Sequence, residues 1–240
     1  MTRQFDAEYW EQHYQGSPGP YPSQTAMSSG PGDPNPHLVR EISPLSPGRA
    51  LDAGCGHGIE AAWLAEQGWK VTGVDISRTA LDRAARILRA RGMDTRVELI
   101  AADLTTWVPE GQYELVTTHY AHPTIPQLDF YRRVSGWVAP AGTLLIIGHL
   151  HGEGDAHEHD ADAHGAPGRD ADAHGTAEHD APGHRGNPPL EAQVRAADVA
   201  ALLDESSWRI ETAAEMSRTT LRGQDSVTLH DVVVRAIRLS

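Results

Sequence analysis

The sequence is nearly without cysteine. Its 240 residues include one, Cys55, which excludes an internal disulfide and any all-cysteine metal site. Basic residues are also scarce: 20 Lys and Arg stand against 33 Asp and Glu, for a net charge of −13 with His neutral. Such a chain repels phosphate backbones, so nucleic acid is disfavoured as a partner. No apolar run approaches the roughly 18 residues of a transmembrane helix, and no membrane association is expected. The opening MTRQFDAEYWEQHY is charged and aromatic, unlike the apolar run of a signal peptide. The expected home is a reducing cytoplasm. Phenylalanine is down to 2 residues, yet 39% of the chain is hydrophobic, enough for one core and a single domain over 1–240.

Histidine is abundant, and it is concentrated. Residues 151–188 hold 7 of the 14 His, 9 acids and 2 Arg. They contain no Val, Ile, Leu, Met or aromatic residue, so burial cannot offset the entropy of ordering them. A disordered insertion is predicted there. Asp160–Gly165 (DADAHG) recurs as Asp170–Gly175, which is local duplication rather than a stacked-repeat fold. His157, His159, His164, His174, His179 and His184 lie among Asp and Gly. Neutral imidazole suits zinc or nickel, with carboxylates completing a shell. The alternative is a solvated acidic spacer.

The remainder alternates strand and helix. Strands are predicted at 49–53, 69–74, 96–101, 113–118 and 143–148. Helices are predicted at 59–67, 77–91, 125–137 and 194–203. Asn35 with Pro36 behind it reads as the cap of a short helix through Glu41. Strands at 209–216 and 226–238 have no helix between them and read as an antiparallel hairpin. Residues 1–36 read as a short aromatic helix followed by a Gly/Pro-rich loop. The pattern implies a doubly wound, Rossmann-like α/β sheet, mostly parallel, with the antiparallel hairpin at its C-terminal end.

Leu51–Gly58 (LDAGCGHG) follows the first strand and opens a helix. Gly54, Gly56 and Gly58 allow a tight turn and close approach of a ligand, and the helix start presents unpaired N–H groups. Asp75 ends the second strand 21 residues after Gly54, where nucleotide-binding α/β folds hold ribose hydroxyls. These residues alone point to an adenosine-type ligand or, at the least, a strand–helix turn. The dinucleotide pattern G-x-G-x-x-G fails here, because Ile59 stands where its third glycine belongs.

The stretch resembles the class I S-adenosylmethionine-dependent methyltransferases. The likeness rests on Leu51–Gly58, on Asp75 in Val71–Ile76 (VTGVDI) and on Asp103 in Ala101–Leu104 (AADL), and it spans about Glu8 to Leu239 without the insertion. It implies S-adenosylmethionine as cofactor. Asp52 and Gly54, Gly56 and Gly58 would surround the methionine moiety, with Asp52 alternatively a second-layer orienting group. Asp75, with Ile76 beside it, would bind the ribose. Asp103 would meet the adenine amine, or else simply cap a turn, and Leu104 would flank the ring. Cys55 is read as packing. The fourth strand end of such enzymes faces the methyl group, which makes His119, Tyr120 and His122 the acceptor-side candidates.

Relatives with an aromatic start like Phe5–Tyr14 fold it over the cofactor; packing of an N-terminal helix is the plainer reading. The Pro-Pro-Tyr signature of amino-directed nucleic-acid methyltransferases is absent. The resemblance thus favours methyl transfer to a small molecule, and the residues of the His-rich segment add a metal-responsive element as an expectation of their own. The rivals are a non-catalytic metal sensor or store that binds the cofactor, and a protein or RNA methyltransferase that works with a basic partner.

Overall fold

The computed structural model describes residues 5–16, 32–150, 194–222 and 225–240. The predicted insertion and its six candidate metal ligands lie outside the described residues. In chain order the elements are α1 (Ala7–Gln15), α2 (Pro36–Ile42), β1 (Arg49–Ala53), α3 (Ile59–Glu66), β2 (Lys70–Asp75), α4 (Arg78–Ala90), β3 (Val97–Ala101), β4 (Tyr113–His119), α5 (Gln127–Ser135), β5 (Val138–His149), α6 (Ala196–Ala201), β6 (Trp208–Arg222) and β7 (Asp225–Arg238). One seven-stranded sheet runs β3-β2-β1-β4-β5-β7-β6. The first five strands are parallel; β7 is antiparallel to β5, and β6 to β7.

Both faces are covered, which is why β5 reads as an unbroken apolar run. Leu144 and Ile146 enter a core with Leu51, Val116 and Phe130 on one side. Leu145 and Ile147 enter a second core with Ala50, Trp63 and Leu115 on the other. Helix starts follow the side-chain oxygens. Asp6 accepts from Tyr9 N, Asn35 from His37 N and Ser77 from Ala80 N, each satisfying a donor that the helix leaves unpaired.

The doubly wound sheet and its hairpin agree with expectation, while several boundaries do not. Helix α5 begins at Gln127 rather than at 125, because Pro126 holds an extended backbone (ψ 137°) and restricts the residue before it. Helix α6 is confined to Ala196–Ala201. Strand β5 starts at Val138, reaching β4 across a register shift beside Tyr113. The hairpin runs on to Arg222 and Asp225. Polar residues after Met216 hid that extension, which backbone pairing carries.

Candidate active site

The carboxyl ends of β1, β2 and β4 converge on the glycine loop. Gly54 N and Cys55 N both donate to Val74 O, at 2.8 and 3.0 Å, so the loop is sewn to β2. At Gly54 (φ 84°) an added Cβ would lie 2.7 Å from the Ala121 Cβ, so glycine is required both by conformation and by the turn beyond β4. Asp75 is buried. It accepts from Gly56 N at 2.8 Å and Ser77 N at 2.9 Å, and burial pushes its carboxyl up to about 6. Ile76 follows, half-buried.

Asp52 is 1% exposed, and neither carboxylate oxygen has a hydrogen-bond partner. An ion in that state is costly to bury. His119 Nδ1 lies 3.7 Å from Oδ1 and is itself without a hydrogen bond. The other nitrogen of His119 meets Thr117 Oγ1 at 3.2 Å. Behind them Glu60 of α3 accepts from Asn35 N at 3.3 Å, and burial raises its carboxyl. The Cys55 thiol is pushed well up by burial and by Asp75 and Asp52, which fits packing and disfavours a thiolate nucleophile.

Asp103 Oδ1 accepts from Thr105 N at 2.8 Å and Thr105 Oγ1 at 2.7 Å, so part of its capacity closes a turn. Leu104 is buried, with its carbonyl fixed by Arg133 Nε at 2.8 Å.

At the end of β4 the three acceptor-side candidates part company. His122 stacks between Trp10 of α1, with ring centroids 6.4 Å apart, and His149 of β5, at 5.8 Å. Burial lowers its pKa to about 4, and its Nδ1 has no hydrogen-bond partner, so it is neutral at pH 7. Tyr120 turns inward instead. Its hydroxyl donates to Asp231 Oδ1 at 2.9 Å and accepts from Asn35 Nδ2 at 3.1 Å, while its ring stacks on His149 at 4.3 Å. His119 points its two nitrogens at Thr117 and Asp52, as described above.

Helix α1 lies against this edge. Trp10 Nε1 donates to His122 O at 3.2 Å. Glu11 accepts from Ser77 Oγ at 2.8 Å and from both Thr79 N and Thr79 Oγ1, which draws its carboxyl down to about 2. Arg83 Nη2 donates to Tyr14 O at 2.7 Å, and the Tyr14 ring meets His57 edge-on at 5.0 Å. His57 is lowered to about 4 by burial and by Arg83 and His13.

The sequence reading missed Glu11, Glu60 and Asp231. The last two had a signal: each is an acid set in an apolar stretch, IEAAWLA for Glu60 and DVVV for Asp231. Among the described residues, no three His, Cys, Asp or Glu are grouped to hold a metal, and no helix is long and apolar enough to cross a membrane.

Residues 50–142 match the family model described as a methyltransferase domain. The matched stretch contains the glycine loop, Asp75 and Asp103, the residues that carry the resemblance to class I S-adenosylmethionine-dependent methyltransferases. Ribosomal RNA small subunit methyltransferase C of Alcanivorax borkumensis is 36% identical over 107 residues, covering 42% of this chain and 32% of that protein. Trans-aconitate 2-methyltransferase of Streptomyces avermitilis is 33% identical over 110 residues, covering 43% and 39%. The chain therefore spans about a third to two-fifths of the length of these two relatives. The solved structure "Conversion of a Disulfide Bond into a Thioacetal Group during Echinomycin Biosynthesis" aligns with 97% of this chain and 91% of its own, with a TM-score of 0.64 at 23% identity, a likeness of fold.

The residues of the matched stretch fit S-adenosylmethionine. A buried carboxylate with two unpartnered oxygens suits the cationic amine and sulfonium of S-adenosylmethionine. A second-strand acid beside a glycine loop suits its ribose.

Proposed function

We propose that the chain transfers the methyl group of S-adenosylmethionine to a small-molecule acceptor. The observation that carries this reading is the Asp52 carboxylate, buried and without a hydrogen bond beside the glycine loop that Asp75 anchors. Bound there, S-adenosylmethionine supplies an electrophilic methyl on a sulfonium and leaves as a neutral thioether. Asp52 and the Gly54, Gly56 and Gly58 backbone hold the methionine end. Asp75 and Ile76 take the ribose, and Asp103 and Leu104 the adenine. Helix α1 acts as a lid, with Trp10 and Tyr14 excluding water from the transfer edge. His119 and His122 face the acceptor. Positioning alone contributes much of the rate of an in-line displacement, and the neutral imidazole of His122 can accept a hydrogen bond from the acceptor.

Support for a small acceptor comes from the net charge of −13 and from the relative named for trans-aconitate. The relative named for ribosomal RNA keeps an RNA acceptor as the second reading. Incubation with methyl-labelled S-adenosylmethionine and a panel of thiols, carboxylic acids, phenols and amines is expected to give labelled small product and S-adenosylhomocysteine. Label that appears only in added RNA or protein contradicts the small-molecule reading, and cofactor binding without turnover on any acceptor favours the non-catalytic sensor.

The metal-responsive reading concerns His157, His159, His164, His174, His179 and His184, whose segment follows β5. Zinc or nickel is expected to change turnover of the full chain and to lose that effect when residues 152–187 are deleted. Equal kinetics with and without metal contradict this part.

A further inference from the structure

Tyr120 carries a left-handed backbone, φ 53°, which among non-glycine described residues it shares with Ala141 alone. A bulky side chain disfavours that conformation, which persists only where the surroundings over-determine it. The buried Asn35, His37 and Asp231 do so here, in a circuit with the Tyr120 hydroxyl that closes through the His37 backbone. Asn35 Oδ1 accepts from His37 N at 2.9 Å. His37 Nε2 meets Asp231 Oδ2 at 3.2 Å. Tyr120 OH donates to Asp231 Oδ1 and accepts from Asn35 Nδ2, closing the loop. Asp231 is 0% exposed. It sits on β7, in register with His149 of β5.

The circuit touches the cofactor side through the turn it fixes. Ala121 follows Tyr120, and its methyl occupies the space a Gly54 Cβ would need. Ala121 O accepts from Gln127 Nε2 at 2.9 Å, and His122 O from Trp10 Nε1. The turn is therefore held from β7, α2, α5 and α1, and it carries His122 on one side while roofing the glycine loop on the other.

We infer that Asp231 is a positioning residue: acting through the Tyr120 hydroxyl, with Asn35, it holds the β4 turn in the form that shapes the glycine loop and presents His122. Tyr120 thereby belongs to the positioning set rather than to the acceptor-contacting one. The inference rests on the reading of the site as a cofactor pocket.

The test uses the full chain and two conservative variants, Tyr120→Phe and Asp231→Asn. S-adenosylhomocysteine binding is measured by calorimetry at a temperature where circular dichroism shows every sample folded. The 13Cα shift of Tyr120 is read in tyrosine-labelled protein. Each variant is expected to weaken binding about fivefold or more, and the double variant no further than the weaker-binding single one. Asp231→Asn is expected to move the Tyr120 shift away from its left-handed position. Tyr113→Phe removes the hydroxyl of another buried tyrosine, at the opposite end of β4, and should leave binding within about twofold of the parent, which a general loosening would not.

A Tyr120 shift unmoved in Asp231→Asn overturns the inference whatever the binding does. A moved shift with binding kept within about twofold overturns the step from turn to glycine loop. If the parent chain itself binds no S-adenosylhomocysteine, the cofactor reading fails, and the Tyr120 shift still decides whether Asp231 holds the turn.

Discussion

The carboxylate of Asp52 lies 3.7 Å from Nδ1 of His119, within reach of an ion pair but beyond a hydrogen bond. Both groups are buried, and neither the Asp52 oxygens nor this nitrogen has a hydrogen-bond partner. A fold selected for stability alone would not keep that pair. Asp52→Asn is therefore expected to stabilise the ligand-free protein, by on the order of 1 kcal/mol, in a denaturant titration. The same change is expected to weaken S-adenosylmethionine binding about tenfold or more, roughly 1.4 kcal/mol. Loss of stability together with unchanged affinity would make Asp52 a structural acid.

Gly54 combines a left-handed backbone with a Cβ position 2.7 Å from the Ala121 methyl. Gly54→Ala must adopt the disfavoured conformation, at about 1–2 kcal/mol, and displace the β4 turn, at roughly 1–3 kcal/mol. A loss of about 2–5 kcal/mol in unfolding free energy is expected. At Gly92, also left-handed (φ 69°), nothing lies within 4 Å of an added Cβ. Gly92→Ala should therefore cost only the conformational part.

Glu11 is the principal polar tie between α1 and the start of α4. Glu11→Gln keeps the size and removes the charge that Ser77 and Thr79 donate to. Faster dissociation of S-adenosylhomocysteine is expected, about three- to tenfold in stopped flow, because the lid opens more readily. An unchanged dissociation rate means that α1 is packing and not a lid.

Burial lowers His122 to about 4 from 6.5. Between those values the unfolded chain binds a proton that the folded chain refuses. The contribution of this histidine to stability is thus present above about 6.5 and lost as pH falls toward 4. His122→Gln removes it, so the variant should lose less melting temperature than the parent across that window. Parallel curves would show that His122 titrates normally in the folded protein.

Much of the site was legible because its signals are local. Gly54, Gly56 and Gly58 follow a strand and open a helix, and Asp75 closes the next strand, so short-range pattern suffices. The β5 run from Leu144 to Ile147 announced a strand buried on both faces. What stayed hidden depends on distant pairing. The Tyr120 hydroxyl is turned inward by Asp231, 111 residues away, and position at a strand end could not reveal that. Glu11 looks like any exposed acid of an amphipathic helix until α4 is set beside it. Asp103 and His119 each bond a residue two positions away, Thr105 and Thr117, local contacts that strand-end position alone did not announce.

The central claim is the cofactor pocket, and calorimetric titration of S-adenosylhomocysteine into purified, ligand-free protein tests it most directly. The account predicts one binding site, weakened about tenfold or more by Asp75→Ala, and weakened in the parent as pH falls through about 6, where the Asp75 carboxylate takes up its proton. A folded sample that binds none, or that binds equally well without the Asp75 carboxylate, contradicts it.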